Sequence, residues 1–348
     1  MQSIKKRRLA WLSIILAFSL TAAACGDDDD DAGADTDDDT GAPVDDGGGD
    51  ISGSINISGS STVLPITELV AEDFDASNDG ATTTTVDGPG TGDGFELFCT
   101  GETDVSDASR PISDEEIATC EENGIEYVEI QVAYDGMAVM TNPNNEAVEC
   151  LSFADLYAMI GPEAEGISTW ADAQAVASEL GSTTELPDAE LALTGPGQES
   201  GTYDSFIEIA LEDIAEERGQ EATTRTDYSA NADDNIIIQN IESSDTSLGW
   251  VGFAYAEEAG DGVREIAISA EPGGDCVEPS GDTISDGSYP LSRPLFIYVN
   301  QANAEESPAL AAFVDFYLEG LNAFVEEAGY VVMPDDEVEA QVAAWEGR

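Results

Sequence analysis

The chain has 348 residues, with 74 acidic side chains against ten basic ones, a formal net charge of −64 and no histidine. A surface this negative repels nucleic acid and acidic membranes, so binding to either is excluded as a main function. The absence of histidine excludes a Ser-His-Asp triad, a histidine general base and a histidine-ligated metal site.

The first 24 residues have the features of a signal peptide. Basic residues at positions 5–8 precede an apolar run over 9–24, which is too short and wrongly flanked for a retained membrane span. Small residues then lead to Cys25, in the pattern of a lipoprotein processing site. We expect residues 1–24 to be removed and Cys25 to be lipidated. Ordinary cleavage that leaves a plain thiol is the alternative.

The stretch from 25 to 50 is rich in aspartate and glycine and has no aromatic or basic residue. It cannot bury enough apolar surface to fold, so we predict an extended acidic tether behind the lipid.

The signal peptide holds four of the ten cations and no acid, so the mature net charge is −68. Such self-repulsion is tolerable where salt screens it, which predicts a halophilic source.

Four further cysteines, Cys99, Cys120, Cys150 and Cys276, form an even set in an exported chain, which predicts two disulfides. None lies in a C-x-x-C spacing, so we expect no zinc site and no other metal. Three pairings are possible. We favour Cys99–Cys120 with Cys150–Cys276, because the first closes a short local loop.

From Ile55 onward, strand and helix patterns alternate, which is typical of an α/β architecture. A strand leads into a helix from Pro65, and Ser113 with Glu116 forms a capping box for another helix. A long extended segment, 126–142, could cross between two lobes. The remaining segments are predicted as follows: helices at 151–160, 200–219, 233–244, 307–320 and 322–331, a strand with a helical turn at 248–260, and a strand at 293–300.

This pattern predicts two α/β lobes, with the second inserted into the first. We assign 51–133 and 256–348 to lobe 1 and 134–255 to lobe 2, with the ligand cleft between them.

Four segments combine small residues and hydroxyls with a following helix. They are GSSTVLP (59–65), GPGTGDGF (88–95), DVSDASRPI (104–112) and ESGTYDSF (199–206). We call them the four donor loops, because each can offer backbone N–H groups and hydroxyls to an oxyanion. Any one of them alone is an ordinary helix start. Together, with a single arginine among them, they indicate an anion site.

These motifs, in this order, resemble the phosphate-binding protein of the bacterial phosphate ABC transporter, a periplasmic substrate-binding protein family. The likeness covers most of the chain from about Ile55 and includes DGSYPLSRPLFIYV near the C-terminus. It implies a type II two-lobed fold with a hinge, inorganic phosphate as ligand and no cofactor or enzymatic activity. It also implies ABC permease subunits as partners and a place on the outer face of the cytoplasmic membrane, which the chain would contact only through its lipid. We expect a monomer.

The resemblance also implies the ligand set. The phosphate-binding residues would be Ser61, Thr62, Thr91, Gly92, Ser109, Arg110, Ser200, Gly201 and Thr202. Some family members carry an aspartate where Ser109 stands and an arginine where Pro196 stands, so Arg110 would supply the positive charge here. A surface salt bridge to neighbouring acids is the alternative role for Arg110.

Selection of phosphate over sulfate needs an acceptor, since phosphate keeps a proton that sulfate lacks. The candidates are Asp93 and Glu199, both inside donor loops.

Two alternative functions stay open. One is a binding protein for another tetrahedral oxyanion, such as sulfate or molybdate. The other is a phosphatase with Ser61 or Ser200 as nucleophile, which lacks an activating base.

Overall fold

The computed structural model describes residues 51–198 and 200–348. The predicted signal peptide, the lipidated Cys25, the acidic tether and Glu199 lie outside the described residues, so these remain predictions.

Strands and helices alternate through the described residues. The strands are β1 (Gly53–Gly59), β2 (Thr82–Asp87), β3 (Val105–Ala108), β4 (Tyr127–Thr141), β5 (Cys150–Ser152), β6 (Ala192–Gly195), β7 (Ser229–Ala230), β8 (Ser247–Gly252), β9 (Arg264–Glu265), β10 (Ala267–Ser269) and β11 (Ser292–Asn300). The helices are α1 (Leu64–Ser77), α2 (Thr91–Cys99), α3 (Asp114–Asn123), α4 (Phe153–Ile160), α5 (Gln174–Glu179), α6 (Gly201–Phe206), α7 (Glu212–Glu217), α8 (Asp234–Glu242), α9 (Phe253–Ala259), α10 (Gly281–Ser285), α11 (Gln301–Glu306), α12 (Pro308–Glu319), α13 (Leu321–Glu327) and α14 (Asp335–Glu346). A π-helical segment, Ile207–Leu211, joins α6 to α7, and 3₁₀ turns occupy Pro162–Ala164, Trp170–Ala173 and Gly260–Gly262.

One curled sheet runs through both lobes in the order β2-β1-β3-β11-β4-β8-β6-β7, with β9 beside β4. The strands β1, β2 and β3 are parallel, whereas β11 is antiparallel to β3 and β4. The first part of β4 pairs with β11, and its last part, from Met137, pairs with β8. The long strand predicted over 126–142 therefore exists and passes from one lobe into the other.

Two large apolar cores define the two lobes. One core holds buried side chains from Ile55 to Ala133 and from Leu295 to Trp345, and we call the part around it lobe 1. The other holds buried side chains from Met137 to Leu291 and forms lobe 2. The predicted lobe bounds stay a prediction, and the cores favour a return to lobe 1 near Ser292 rather than at 256.

Several local predictions are confirmed. The Ser113 hydroxyl accepts a hydrogen bond from Glu116 N, and the Glu116 carboxylate accepts one from Ser113 N, which completes the capping box of α3. The disulfides are Cys99–Cys120 and Cys150–Cys276. The helix α14 was missed, because its only fully buried apolar side chain, Trp345, leaves a weak helical pattern.

Within the described residues, no single helix is long and apolar enough to cross a membrane. The pair α12 and α13 together has the length and apolar composition, with a bend of 71° between its two parts.

Candidate functional site

Three of the four donor loops follow the carboxyl ends of the parallel strands β1, β2 and β3, which places them at one edge of the sheet. Hydrogen bonds tie them together. Gly90 N donates to Gly59 O at 2.8 Å, and Ser60 N donates to Asp107 O at 2.8 Å. The first loop is thereby fixed to both the second and the third.

The close approach of these loops explains their small residues. Gly59 has a φ of +153°, and a Cβ there would lie 2.0 Å from the carbonyl oxygen of Asp107. A Cβ on Gly94 would lie 2.5 Å from Gly59 Cα. Larger side chains at either position would push the loops apart.

A pair of buried hydroxyls joins the second loop to the third. The Thr91 and Ser109 hydroxyl oxygens are 3.0 Å apart, and Ser109 N donates to Thr91 Oγ1 at 3.1 Å. Both residues are buried, whereas Gly92 and Asp93 are exposed at the edge of the same loop.

The fourth loop belongs to lobe 2 and reaches the first loop across the interface between the lobes. Ser61 Oγ donates to Asp204 Oδ2 at 2.7 Å, and the hydroxyls of Thr62 and Ser205 are 3.1 Å apart. A Cβ on Gly201 would lie 3.2 Å from Thr62 Cα. All four predicted loops therefore lie together.

Helix-start amides that the sequence offered as anion donors already have partners. Ser60 Oγ accepts hydrogen bonds from Thr62 N at 3.1 Å and Val63 N at 3.4 Å. In lobe 2, Ser200 Oγ accepts from Thr202 N at 3.2 Å. An anion at either helix start would have to compete with these serine hydroxyls for the amides.

Arg110 forms a salt bridge with Glu116, which is the alternative role that the sequence analysis gave for this arginine. Its guanidinium donates two hydrogen bonds of 2.8 Å to the Glu116 carboxylate, and its side chain is 45% exposed. Burial alone would raise the pKa of Glu116, but hydrogen bonds from Arg110 and Ser113 outweigh it and lower that pKa. Arg110 still lines the cleft described below, but it lies at the rim.

Arg293, which the sequence analysis did not select, is the cation at the centre of the interface. Its Nη2 donates to Ser205 Oγ at 2.7 Å and to Thr62 Oγ1 at 3.1 Å. Its Nη1 contacts the Glu208 carboxylate. One guanidinium therefore connects β11 of lobe 1 with a donor loop of each lobe.

Arg293 lies directly opposite Asp135 in the β11–β4 pairing, and its Nε is 3.4 Å from Asp135 Oδ2. The Asp135 side chain is 4% exposed. Burial raises the pKa of this carboxyl, and the charge of Arg293 opposes that rise. The signal for Arg293 in the sequence is the segment DGSYPLSRPLFIYV, a motif of the resemblance that contains this arginine.

A cleft of about 560 Å³ opens beside Arg293 between the lobes. Its lining in lobe 1 includes Thr91, Gly92, Asp93, Ser109, Arg110 and Arg293, and its lining in lobe 2 includes Glu208, Ile209 and Glu212. Ser200, Gly201 and Thr202 line a different cavity, together with Asp135. In the described part of the chain, no three metal-ligating side chains are grouped so that they could hold a metal ion.

A two-lobed sheet protein with hydroxyls and arginines gathered between its lobes has the arrangement of a substrate-binding protein. Residues 42–320 match the model of the PBP superfamily domain. The chain is 40% identical to protein SphX of Synechocystis over 82% of this chain and 80% of that protein. It is 36% identical to the phosphate-binding protein PstS of Staphylococcus haemolyticus over 82% of this chain and 83% of that protein.

Among solved structures, a possible phosphate binding protein from Planctomyces limnophilus superposes with a TM-score of 0.76. The two sequences are 37% identical, over 85% of this chain and 99% of that one. The chain therefore belongs to the PBP superfamily, in the family that contains PstS and SphX, and it has that family's two-lobed type II fold.

Proposed function

We propose that this protein captures inorganic phosphate between its lobes and delivers it to the permease of a phosphate ABC transporter. The observation that carries the proposal is the convergence of Thr62 and Ser205 on Arg293, beside the Thr91–Ser109 hydroxyl pair. Membership of the PstS family supports phosphate as the ligand. Family membership also makes the chain a binding protein and not an enzyme.

The chemistry of the site suits a dehydrated tetrahedral oxyanion. Phosphate carries about −1.5 to −2 at neutral pH, and removing its water is costly unless each oxygen gains a hydrogen bond. A guanidinium supplies charge-assisted donors, and clustered hydroxyls supply neutral ones. The set we propose is Ser61, Thr62, Thr91, Gly92, Ser109, Arg110, Ser200, Gly201 and Thr202, with Arg293 added as the central charge.

Calorimetric titration of the purified protein with phosphate, arsenate and sulfate tests this function. We expect 1:1 binding of phosphate and arsenate, with sulfate much weaker. Absence of any phosphate binding in molar salt would refute the proposal. A chromogenic phosphate ester serves as the control for hydrolysis, and turnover of that ester would favour the phosphatase alternative.

We further propose that the mature protein is anchored at the outer face of the cytoplasmic membrane through a lipid on Cys25. The acidic tether would keep the binding domain near the permease while it searches for phosphate. Labelled fatty acid should appear in the wild-type protein and be absent from a Cys25→Ser variant. Equal labelling of both proteins would exclude Cys25 as the lipidation site.

A further inference from the structure

The ion pair between Arg293 and Glu208 occupies a guanidinium that the proposed function needs. Nη1 contacts Glu208, Nη2 contacts Thr62 and Ser205, and Nε faces Asp135. Four of the five N–H donors of this guanidinium therefore have a protein partner. An anion that accepts two hydrogen bonds from Arg293 has to replace at least one of these partners.

The two carboxylates on Arg293 differ in how firmly they are held. Asp135 is the cross-strand partner of Arg293 inside the sheet and is almost fully buried. The Glu208 side chain is 44% exposed and lies across the interface in lobe 2. It belongs to the π-helical segment Ile207–Leu211, and such segments are rare and frequently occur at functional sites. Glu208 is thus the exchangeable partner.

The charges around Arg293 also favour Glu208 as the partner that an anion replaces. Arg293 with Asp135 is close to neutral, and Glu208 adds a further negative charge. A phosphate dianion next to both carboxylates would be repelled, because like charges in a partly buried cleft are poorly screened. Replacement of Glu208 by the anion keeps the local charge nearer to zero.

Resting on the proposed function, we propose that Glu208 is an internal competitor of the ligand. Its carboxylate binds Arg293 in the absence of the anion and is displaced by an incoming tetrahedral oxyanion. Glu208 thereby sets the affinity of the cleft and selects which anions enter. A half-exposed ion pair is weak enough to be displaced by a ligand that gains additional donors.

This competition favours oxyanions over simple halides. A carboxylate or phosphate can accept two hydrogen bonds from the guanidinium fork, whereas a spherical chloride cannot match that geometry. Phosphate also gains the hydroxyls of Thr62 and Ser205, which lie on the same guanidinium. Chloride gains less and is excluded while Glu208 remains in place.

Phosphate titrations of four proteins test the inference: the wild type, Glu208→Gln, Glu208→Asp and the matched control Glu216→Gln. Glu216 is an exposed glutamate on α7, and its substitution removes the same charge from the same lobe. If Arg293 is available about a tenth of the time in the wild type, Glu208→Gln should tighten phosphate binding about tenfold. Glu208→Asp keeps the charge but has a shorter side chain that reaches Arg293 less well. It should therefore also bind phosphate more tightly than the wild type, with most of the gain expected for Glu208→Gln. Glu216→Gln should leave the affinity within about twofold of the wild type.

Repeating the titrations in chloride and in a non-coordinating salt provides the second measurement. Chloride should weaken phosphate binding to Glu208→Gln more than to the wild type. Unchanged or weaker phosphate binding by Glu208→Gln, with wild-type protein that binds normally, would overturn the competitor role. A specific loss of phosphate over sulfate preference would instead make Glu208 a proton acceptor and also overturn it. If the wild type does not bind phosphate, the proposed function fails rather than this inference.

Discussion

The Arg293 guanidinium donates a hydrogen bond of 3.1 Å to the Thr62 hydroxyl, which joins residues 231 positions apart in the chain. Arg293 lies on β11, one of the two strands that meet at the crossing between the lobes, and Thr62 lies in the first donor loop. This contact brings a second, largely buried positive charge to the donor loops, where the sequence predicted Arg110 alone.

Arg293 should therefore contribute more to phosphate affinity than Arg110. An Arg293→Gln variant loses charge-assisted hydrogen bonds of about 1.5 kcal/mol or more each, so two lost bonds weaken phosphate binding about 100-fold or more. Arg110→Gln should cost less than about tenfold, because that side chain is half-exposed and paired with Glu116. Calorimetric titration measures both.

Folding controls are needed for Arg293→Gln, since it leaves Asp135 buried without its cation. Circular dichroism should show native secondary structure, and Arg293→Lys should recover part of the affinity. A larger loss in Arg110→Gln than in folded Arg293→Gln would reverse the assignment.

The preference for phosphate over sulfate should depend on Asp204. Its Oδ2 accepts the Ser61 hydroxyl at 2.7 Å between the lobes, and burial raises the pKa of this carboxyl. Asp204→Asn should reduce the phosphate-to-sulfate affinity ratio at least about 100-fold, because a partly buried acceptor that meets sulfate stays unpaired. Competition titrations with both anions measure the ratio.

Asp93→Asn and Glu199→Gln are the comparison variants, because both positions were predicted from the sequence as acceptors. Asp93 is exposed, so its change should alter the ratio little. If either comparison variant abolishes the preference while Asp204→Asn keeps it, the acceptor lies in that donor loop and not at Asp204.

Stability should fall as the pH rises from about 4 to 7 because of Asp107. This residue is 1% exposed, and among the described residues neither of its carboxylate oxygens has a partner at normal hydrogen-bond distance and angle. Burial raises its pKa to about 7, and the nearby Thr67 hydroxyl offsets this only in part. The unfolded chain releases that proton near pH 4, whereas the folded chain retains it until about pH 7, so the free energy of unfolding falls as the pH rises across this window.

Denaturant unfolding of the wild type and Asp107→Asn at several pH values isolates this residue. The free energy of unfolding of Asp107→Asn, relative to the wild type, should rise between pH 4 and 7 and then level off. Parallel curves for the two proteins over that range would show that Asp107 titrates normally.

Low salt should destabilise the protein. With a mature charge of −68, repulsion among surface carboxylates is screened only when the Debye length is short, about 3 Å at 1 M salt. We expect the melting temperature to fall by at least about 5 °C on transfer from 3 M to 0.05 M potassium chloride. A melting temperature that does not change over this range would argue against adaptation to high salt.

The sequence by itself determined the features that depend on neighbouring residues or on composition. The capping box at Ser113 and Glu116, the helix from Leu64 and the four donor loops follow from short-range hydrogen bonding and backbone preference. The strand over Tyr127–Thr141 follows from a long apolar pattern. The parallel order of β1 to β3 then brings three loops to one edge of the sheet, as expected for α/β folds.

Only the tertiary structure decided which arginine meets the loops. Arg110 and Glu116 were both identified in the sequence, but their pairing depends on the side-chain conformation at the start of α3. The position of Arg293 depends on the register of β11 against β4, which sets it opposite Asp135 and next to Thr62. A long-range register is fixed by the packing of whole lobes, so no local pattern around Arg293 could reveal its partners.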